Sequence, residues 1–253
     1  MSPILYFVIP CYNDESVLPV TGPLFLQKLL FLIQNEEIED DSRIVFVNDG
    51  STDATWIQIE RLHKADPHCI GLDLTYNVGE QSALLTGMFY AKDRADCCLT
   101  MDSDMQDDIT KVDRMLQAFK EGKEIVFGVR SARKNDAFLE RVTSWLFYRG
   151  MRLVEKRSIP NHSNYRLMSR VAIDQLKAYR GTAFYLPVLT AMLDLPSAIV
   201  YYERLPRAAG TTGYNFWKRL KLGADAIVSH VALRQGHPRE RETFEGSVQR
   251  GLE

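Results

Sequence analysis

The stretch TMDSDMQDD, residues 100–108, places four aspartates in nine residues directly after an apolar run. Like charges this close repel, so the cluster needs a physical reason. In extended backbone, residues two apart share a face, so Asp102 and Asp104 can point into one crevice. A divalent cation relieves the repulsion between them. Hard oxygen ligands suit Mg²⁺ or Mn²⁺, which would also contact a substrate pyrophosphate and keep some water. A pair of solvated turn aspartates is the plainer alternative. Asp107 and Asp108 read differently, as N-terminal charge or capping for a helix beginning near Thr110, and capping is the preferred reading for Asp108.

Three further polar clusters follow apolar runs in the same way: PCYNDES (10–16), NDGSTD (48–53) and YNVGEQ (76–81). The runs themselves are short and rich in β-branched residues: 4–10, 43–49, 69–75, 97–104 and 124–130, with a later one at 198–205. They read as strands. Between them lie helical patterns. Leu26, Leu29, Leu30 and Ile33 recur at helical spacing, as do Val112, Met115, Leu116 and Phe119. Trp56, Ile59 and Leu62 mark a helix that Ser51 or Asp53 could cap, and residues 80–91 form a fourth. Strands alternating with helices predict βαβ units and a mostly parallel sheet. Ligands of such sheets bind beyond the carboxyl ends of the strands, which is where all four clusters fall. One cluster alone is ordinary turn chemistry; four on one edge point to a site.

After Arg130 the pattern turns helical over 138–156, followed by a loop with Pro160 and a helix near 169–180. The last apolar stripe is Trp217, Leu220, Ala224, Ile227 and Val231, and the polar tail 234–253 is expected to fray. The formal net charge of −2 conceals a division. Residues 1–129 carry 10 basic and 22 acidic side chains, and residues 130–253 carry 21 and 11. An acidic half can hold a cation, and a basic half can face phosphates or an anionic surface. No apolar run approaches the ~18–20 residues that span a bilayer, and the N-terminus has no basic region of a signal peptide. The four cysteines, Cys11, Cys69, Cys97 and Cys98, form no C-x-x-C pair and read as buried reduced thiols of a cytoplasmic protein.

The motifs VIPCYNDES, VNDGSTDAT, NVGEQSALLTGM, MDSDMQD, NYRLMSR and RAAGTTGY, in this order and spacing over residues 4–233, resemble the family 2 glycosyltransferases. More narrowly, they are similar to polyprenyl-phosphate glycosyltransferases and dolichol-phosphate mannose synthases. The resemblance implies a GT-A fold: an α/β domain whose mostly parallel central sheet is flanked by helices, with a helical C-terminal extension. Residues 1–233 would be a single domain, with a donor-binding half (1–129) and an acceptor half (130–233) that ends in an amphipathic helix. The resemblance also implies a divalent metal and a nucleotide-diphosphate-sugar donor, a UDP-sugar ahead of a GDP-sugar. Pro10, Tyr12 and Asp14 would line the nucleotide pocket, with Asp14 where the family usually has Glu, and Asp49 would bond the base. Asp102 would approach ribose or metal, and Asp104 would ligate the metal. Gln106 would lie near the donor sugar. Arg166 and Arg207 would meet phosphates, and Tyr214 would join the donor-side residues.

Departure of a nucleoside diphosphate builds negative charge that a metal and fixed guanidiniums stabilise. The expected activity is an inverting transfer from the nucleotide-sugar to a polyprenyl phosphate at the inner face of a membrane. Ten basic residues between 130 and 170, and Lys218, Arg219 and Lys221 in the last helix, suit an anionic headgroup layer. A phosphate acceptor is already anionic, whereas an alcohol would normally need a general base. Asn164 stands where the family often has Asp and cannot take a proton. Gly213 replaces a frequent Lys, and DDIT (107–110) replaces DPPE. Two alternatives stay open: transfer to a saccharide hydroxyl in polysaccharide or glycoprotein assembly, and a weakly catalytic nucleotide-sugar-binding partner of a membrane complex. No nucleic-acid partner is expected.

Overall fold

The computed structural model describes residues 2–131, 159, 162–177, 186–207 and 248–252. The first half follows the expected alternation: β1 (Leu5–Cys11), α1 (Leu18–Gln34), β2 (Arg43–Asn48), α2 (Thr55–Ala65), β3 (Cys69–Leu74), α3 (Glu80–Ala91) and β4 (Cys97–Thr100). A 3₁₀ turn (Ile109–Lys111) then leads into α4 (Val112–Lys120) and β5 (Ile125–Arg130). Beyond it come β6 (His162–Ser169), α5 (Arg170–Leu176), α6 (Leu186–Met192), β7 (Ser197–Tyr202) and β8 (Val248–Leu252). All eight strands join one sheet in the order β7-β5-β6-β4-β1-β2-β3-β8. Pairings β4-β1, β1-β2, β2-β3 and β5-β7 are parallel; β6 runs antiparallel to both neighbours, and β8 antiparallel to β3.

Every residue of β1, β3 and β4 is buried, as expected for parallel strands covered on both faces. Alternation sends Cys97 into the core layer of α1, α2 and α4, and Cys98 into the layer of α3, α5 and α6. The buried face of α1 is Leu18, Phe25, Leu29 and Leu32, so the helix is rotated slightly from the stripe read in the sequence, and Leu26 and Ile33 flank the core. Helix α3 buries most of its length, as befits a helix without a polar face. It lies directly on β1 and β2 because Gly87 brings no side chain.

Two expectations are corrected. The stretch before Arg170, read as loop, is the inner strand β6. Its polar letters concealed it: Asn164 and Arg166 are buried there but hydrogen-bonded, so burial costs less than their types suggest. The tail does not simply fray, since Val248–Leu252 pairs with β3 and covers that edge of the sheet. The helix read over 138–156, the basic residues 133–157, Gly213, Tyr214 and the final amphipathic helix lie outside the described residues.

A Cβ on Gly87 would stand 2.4 Å from Val8 Cγ1 and 2.9 Å from Val47 Cγ2. Gly87→Ala should therefore overpack the α3–sheet contact by about 1–3 kcal/mol. Calorimetry should show Tm falling by roughly 3–10 °C; an unchanged Tm would contradict this packing.

Candidate functional site

The loops after β1 and β2 are laced together. Asn13 takes a positive φ of 54°, which its short polar side chain tolerates. Its amide donates to Ser51 Oγ at 3.0 Å, and its side-chain oxygen accepts from the Thr52 amide at 2.9 Å. The Asp14 amide donates to Thr55 Oγ1 at 2.7 Å, while Ala54 N donates to Glu15 Oε2 at 3.0 Å. The Asp14 carboxylate accepts from Tyr12 N at 3.2 Å and from Ser103 Oγ at 2.8 Å, which ties this corner to the aspartate loop. Burial raises the Asp14 carboxyl, and those two donors pull it back. Pro10 is buried near the end of β1, and Tyr12 is exposed at the mouth.

Asp49, 2% exposed, holds the loop after β3. Its oxygens accept from Val78 N at 2.7 Å and Gly79 N at 3.0 Å. Burial lifts its carboxyl to about 6 against these two bonds, with Glu80 adding to the rise. Gly50 makes the contact possible: with φ at +60°, a Cβ there would come within 2.3–2.4 Å of the Tyr76–Asn77 backbone. Each Asp49 oxygen still has a second lone-pair direction.

The aspartate loop leaves β4 at Met101. Asp102 is half-buried, and Asn164 Nδ2 lies 3.4 Å from its Oδ1 while also donating to Glu80. Burial, then Glu80, Asp107 and Asp104, push the Asp102 carboxyl far above the usual range. Asp104 accepts from Gln106 N at 3.1 Å across Met105, whose left-handed φ of 56° turns the loop sharply. Its other oxygen faces Arg207 at 3.2 Å. Gln106 is fixed from the far side: its side-chain oxygen accepts from Arg204, and its backbone oxygen accepts from Leu205 N at 2.9 Å.

Three guanidiniums gather here. Arg130, at the end of β5, donates to Tyr202 Oη at 3.0 Å and lies 3.6 Å from Asp107. Arg204 is lowered from its ordinary range by burial and by the nearby charges of Arg130 and Arg207. A dense group of carboxylates thus confronts a dense group of arginines. Among the described residues, no three His, Cys, Asp or Glu side chains form a metal cage by themselves. Two aspartates suit a small hard cation that takes its other oxygens from water and a diphosphate. That Asp104 already attracts a guanidinium shows the position to favour positive charge.

The structure therefore brings Asp14, Asp102, Asp104, Gln106 and Arg207 to one end of the sheet, with Asp49 bracing the adjoining loop. Arg166 is corrected. It is fully buried and donates to Thr190 Oγ1 and Ser163 O, each at 2.8 Å, and more weakly to Asn164, so it cannot meet a phosphate directly. Asp108 caps the 3₁₀ turn through Thr110 N at 3.0 Å, but Asp107 does not act as helix-end charge: it is buried against Tyr202 and Arg130. Glu80, Arg130, Tyr202 and Arg204 were not singled out for the site. Only the position of Arg130 at a strand end hinted at its place.

Residues 6–177 match the family model Glycosyl transferase family 2. The uncharacterized glycosyltransferase YkoT of Bacillus subtilis (strain 168) is 39% identical over 227 residues, 90% of this chain and 67% of that protein. Bactoprenol glucosyl transferase of Shigella phage SfX is 31% identical over 227 residues, 88% of this chain and 70% of that protein. Among solved structures, glucosyl-3-phosphoglycerate synthase from Mycobacterium tuberculosis, in complex with Mn²⁺, UDP and glucosyl-3-phosphoglycerate, superposes with a TM-score of 0.58. At 14% identity, covering 93% of this chain and 81% of that one, this likeness concerns the fold.

Asp49 supplies a pH prediction. A carboxyl held at about 6 in the fold, against an ordinary value of 3.8, binds its proton more tightly when folded. Its contribution to stability is full below the ordinary value and is lost as pH rises through about 6. Carbon-13 NMR of the carboxyl should give a midpoint near 6; one at the usual ~4 would contradict the geometry.

Proposed function

This chain belongs to glycosyl transferase family 2 and has the family's GT-A fold; on that premise we propose that it moves a sugar from a nucleotide-diphosphate-sugar, a UDP-sugar first, to a polyprenyl phosphate. The observation that carries the proposal is the meeting of Asp102 and Asp104 with Arg130, Arg204 and Arg207 at the carboxyl ends of the parallel strands. Paired carboxylates suit a divalent cation, and converging guanidiniums suit a leaving diphosphate or an incoming phosphate. The name of the Shigella phage relative supports the lipid-phosphate acceptor. The UDP and Mn²⁺ of the Mycobacterium structure support the donor and metal assignments.

In this reading Pro10, Tyr12, Asp14 and Asp49 form the nucleotide pocket. Asp102 and Asp104 would hold Mg²⁺ or Mn²⁺, which supplies Lewis-acid neutralisation of the diphosphate. Arg207 exchanges its bond to Asp104 for one to phosphate. Asp107 and Tyr202 orient Arg130, and Arg204 holds Gln106 toward the donor sugar. Asn164, pinned between Glu80 and Asp102, orients the aspartate and takes no proton. An acceptor phosphate needs no base, since it attacks as an anion; attack opposite the departing diphosphate inverts the anomeric centre. Tyr214 keeps its proposed place on the donor side. No helix among the described residues is long and apolar enough to cross a membrane, and we place the chain peripherally at the inner membrane surface.

Purified protein with Mn²⁺, radiolabelled UDP- or GDP-sugar and polyprenyl phosphate should yield chloroform-soluble label. Asp104→Ala should reduce its formation by at least about 100-fold, and Arg207→Ala by roughly 10- to 100-fold. Undiminished transfer by Asp104→Ala would refute the metal role. Label found only on saccharide acceptors would replace the lipid acceptor with a hydroxyl.

A further inference from the structure

The C-terminal strand β8 does more than cover the edge of β3. Arg250 Nε donates to Asp73 Oδ2 at 2.7 Å, while its guanidinium stacks on the Trp56 ring at 4.5 Å. Asp73 lies in β3 and is 5% exposed. Its other oxygen accepts from Asn48 Nδ2 at 2.6 Å. With that amide nitrogen fixed, Asn48 must turn its oxygen the other way, toward Ser51 N at 3.4 Å. Ser51 Oγ in turn accepts from Asn13 N at 3.0 Å. A chain of polar contacts therefore runs from the outermost strand, through the buried Asn48–Asp73 pair, to both loops assigned to the nucleotide.

We infer that Arg250 is a positioning residue for the donor nucleotide, acting through Asp73 and Asn48 on the turn Asp49–Ser51. Edge protection alone does not call for this arrangement. Any backbone of suitable pattern covers a strand edge, whereas a guanidinium placed on a buried carboxylate fixes that carboxylate's orientation and hydrogen bonding. Without Arg250, Asp73 Oδ2 is left buried without its donor; the carboxylate then rotates or draws in water. Either event frees the Asn48 amide to turn, and the Ser51 amide and the Asn13 corner lose their fixed reference. The diphosphate end of the site, at Asp102, Asp104 and Arg207, is not part of this chain of contacts.

The inference rests on the proposal that the loop around Asp49 receives the base, and the test separates the two. Calorimetry on the full chain with Mn²⁺ would compare pyrophosphate with UDP and GDP. Wild type should bind one nucleoside diphosphate more tightly than pyrophosphate. Arg250→Ala should weaken that nucleotide roughly tenfold and leave pyrophosphate unchanged. Arg250→Lys, which retains the charge, should recover most of the loss. An Arg250→Ala variant with wild-type discrimination, or one that weakens both ligands equally, would overturn the role of Arg250. A wild type that does not distinguish nucleotide from pyrophosphate would overturn the base-loop assignment itself.

Discussion

Negative charge confined to one end of a buried sheet is the constraint around which this molecule is organised. Asp14, Asp49, Asp102 and Asp107 all have carboxyls raised by burial, and Glu80 adds to the field at two of them. A protein tolerates such a group only with compensation. Here it comes from backbone amides at Asp49, from hydroxyls at Asp14 and Asp107, and from guanidiniums at Asp104 and Asp107. In the proposed reading Arg207 also meets the diphosphate, so at Asp104 the compensating group and the recognition group would be one side chain.

Much of this was legible in the residues. The β-branched runs, the helical stripes and the polar clusters at strand ends located the parallel half of the sheet and its edge. Asp102, Asp104, Gln106 and Arg207 were legible because motif order brought them forward together. The rest depends on contacts that a linear pattern does not encode. β6 was hidden because Asn164 and Arg166 look like loop residues until their partners across the sheet are known. Arg166 looked like a phosphate ligand for the same reason, since a buried arginine and an exposed one have the same letter. β8 was hidden because a polar tail becomes a strand only through the particular edge it meets.

Asn164 shows how a single amide can reshape a site. It donates toward Glu80 and Asp102 and accepts from Gln81 at 3.1 Å. A carboxylate in its place could only accept, and would add a further charge to a region already crowded with them. Through Gln81, whose oxygen accepts from Leu186 N at 3.1 Å, the amide also joins the start of α3 to the start of α6. The amide thus forgoes proton acceptance in exchange for a hydrogen-bonded link between these elements. That exchange suits the proposed reaction, whose nucleophile arrives already charged.

The antiparallel partner of β3 also has a colloidal consequence. β3 reads CIGLDL, is buried throughout, and has neither proline nor lysine to discourage pairing with another molecule. A copy of the chain with β8 lifted away would present a row of open amides and carbonyls beside an apolar surface. Self-association would then compete with re-docking, and solubility at high concentration would depend on how long Val248–Leu252 stays in place.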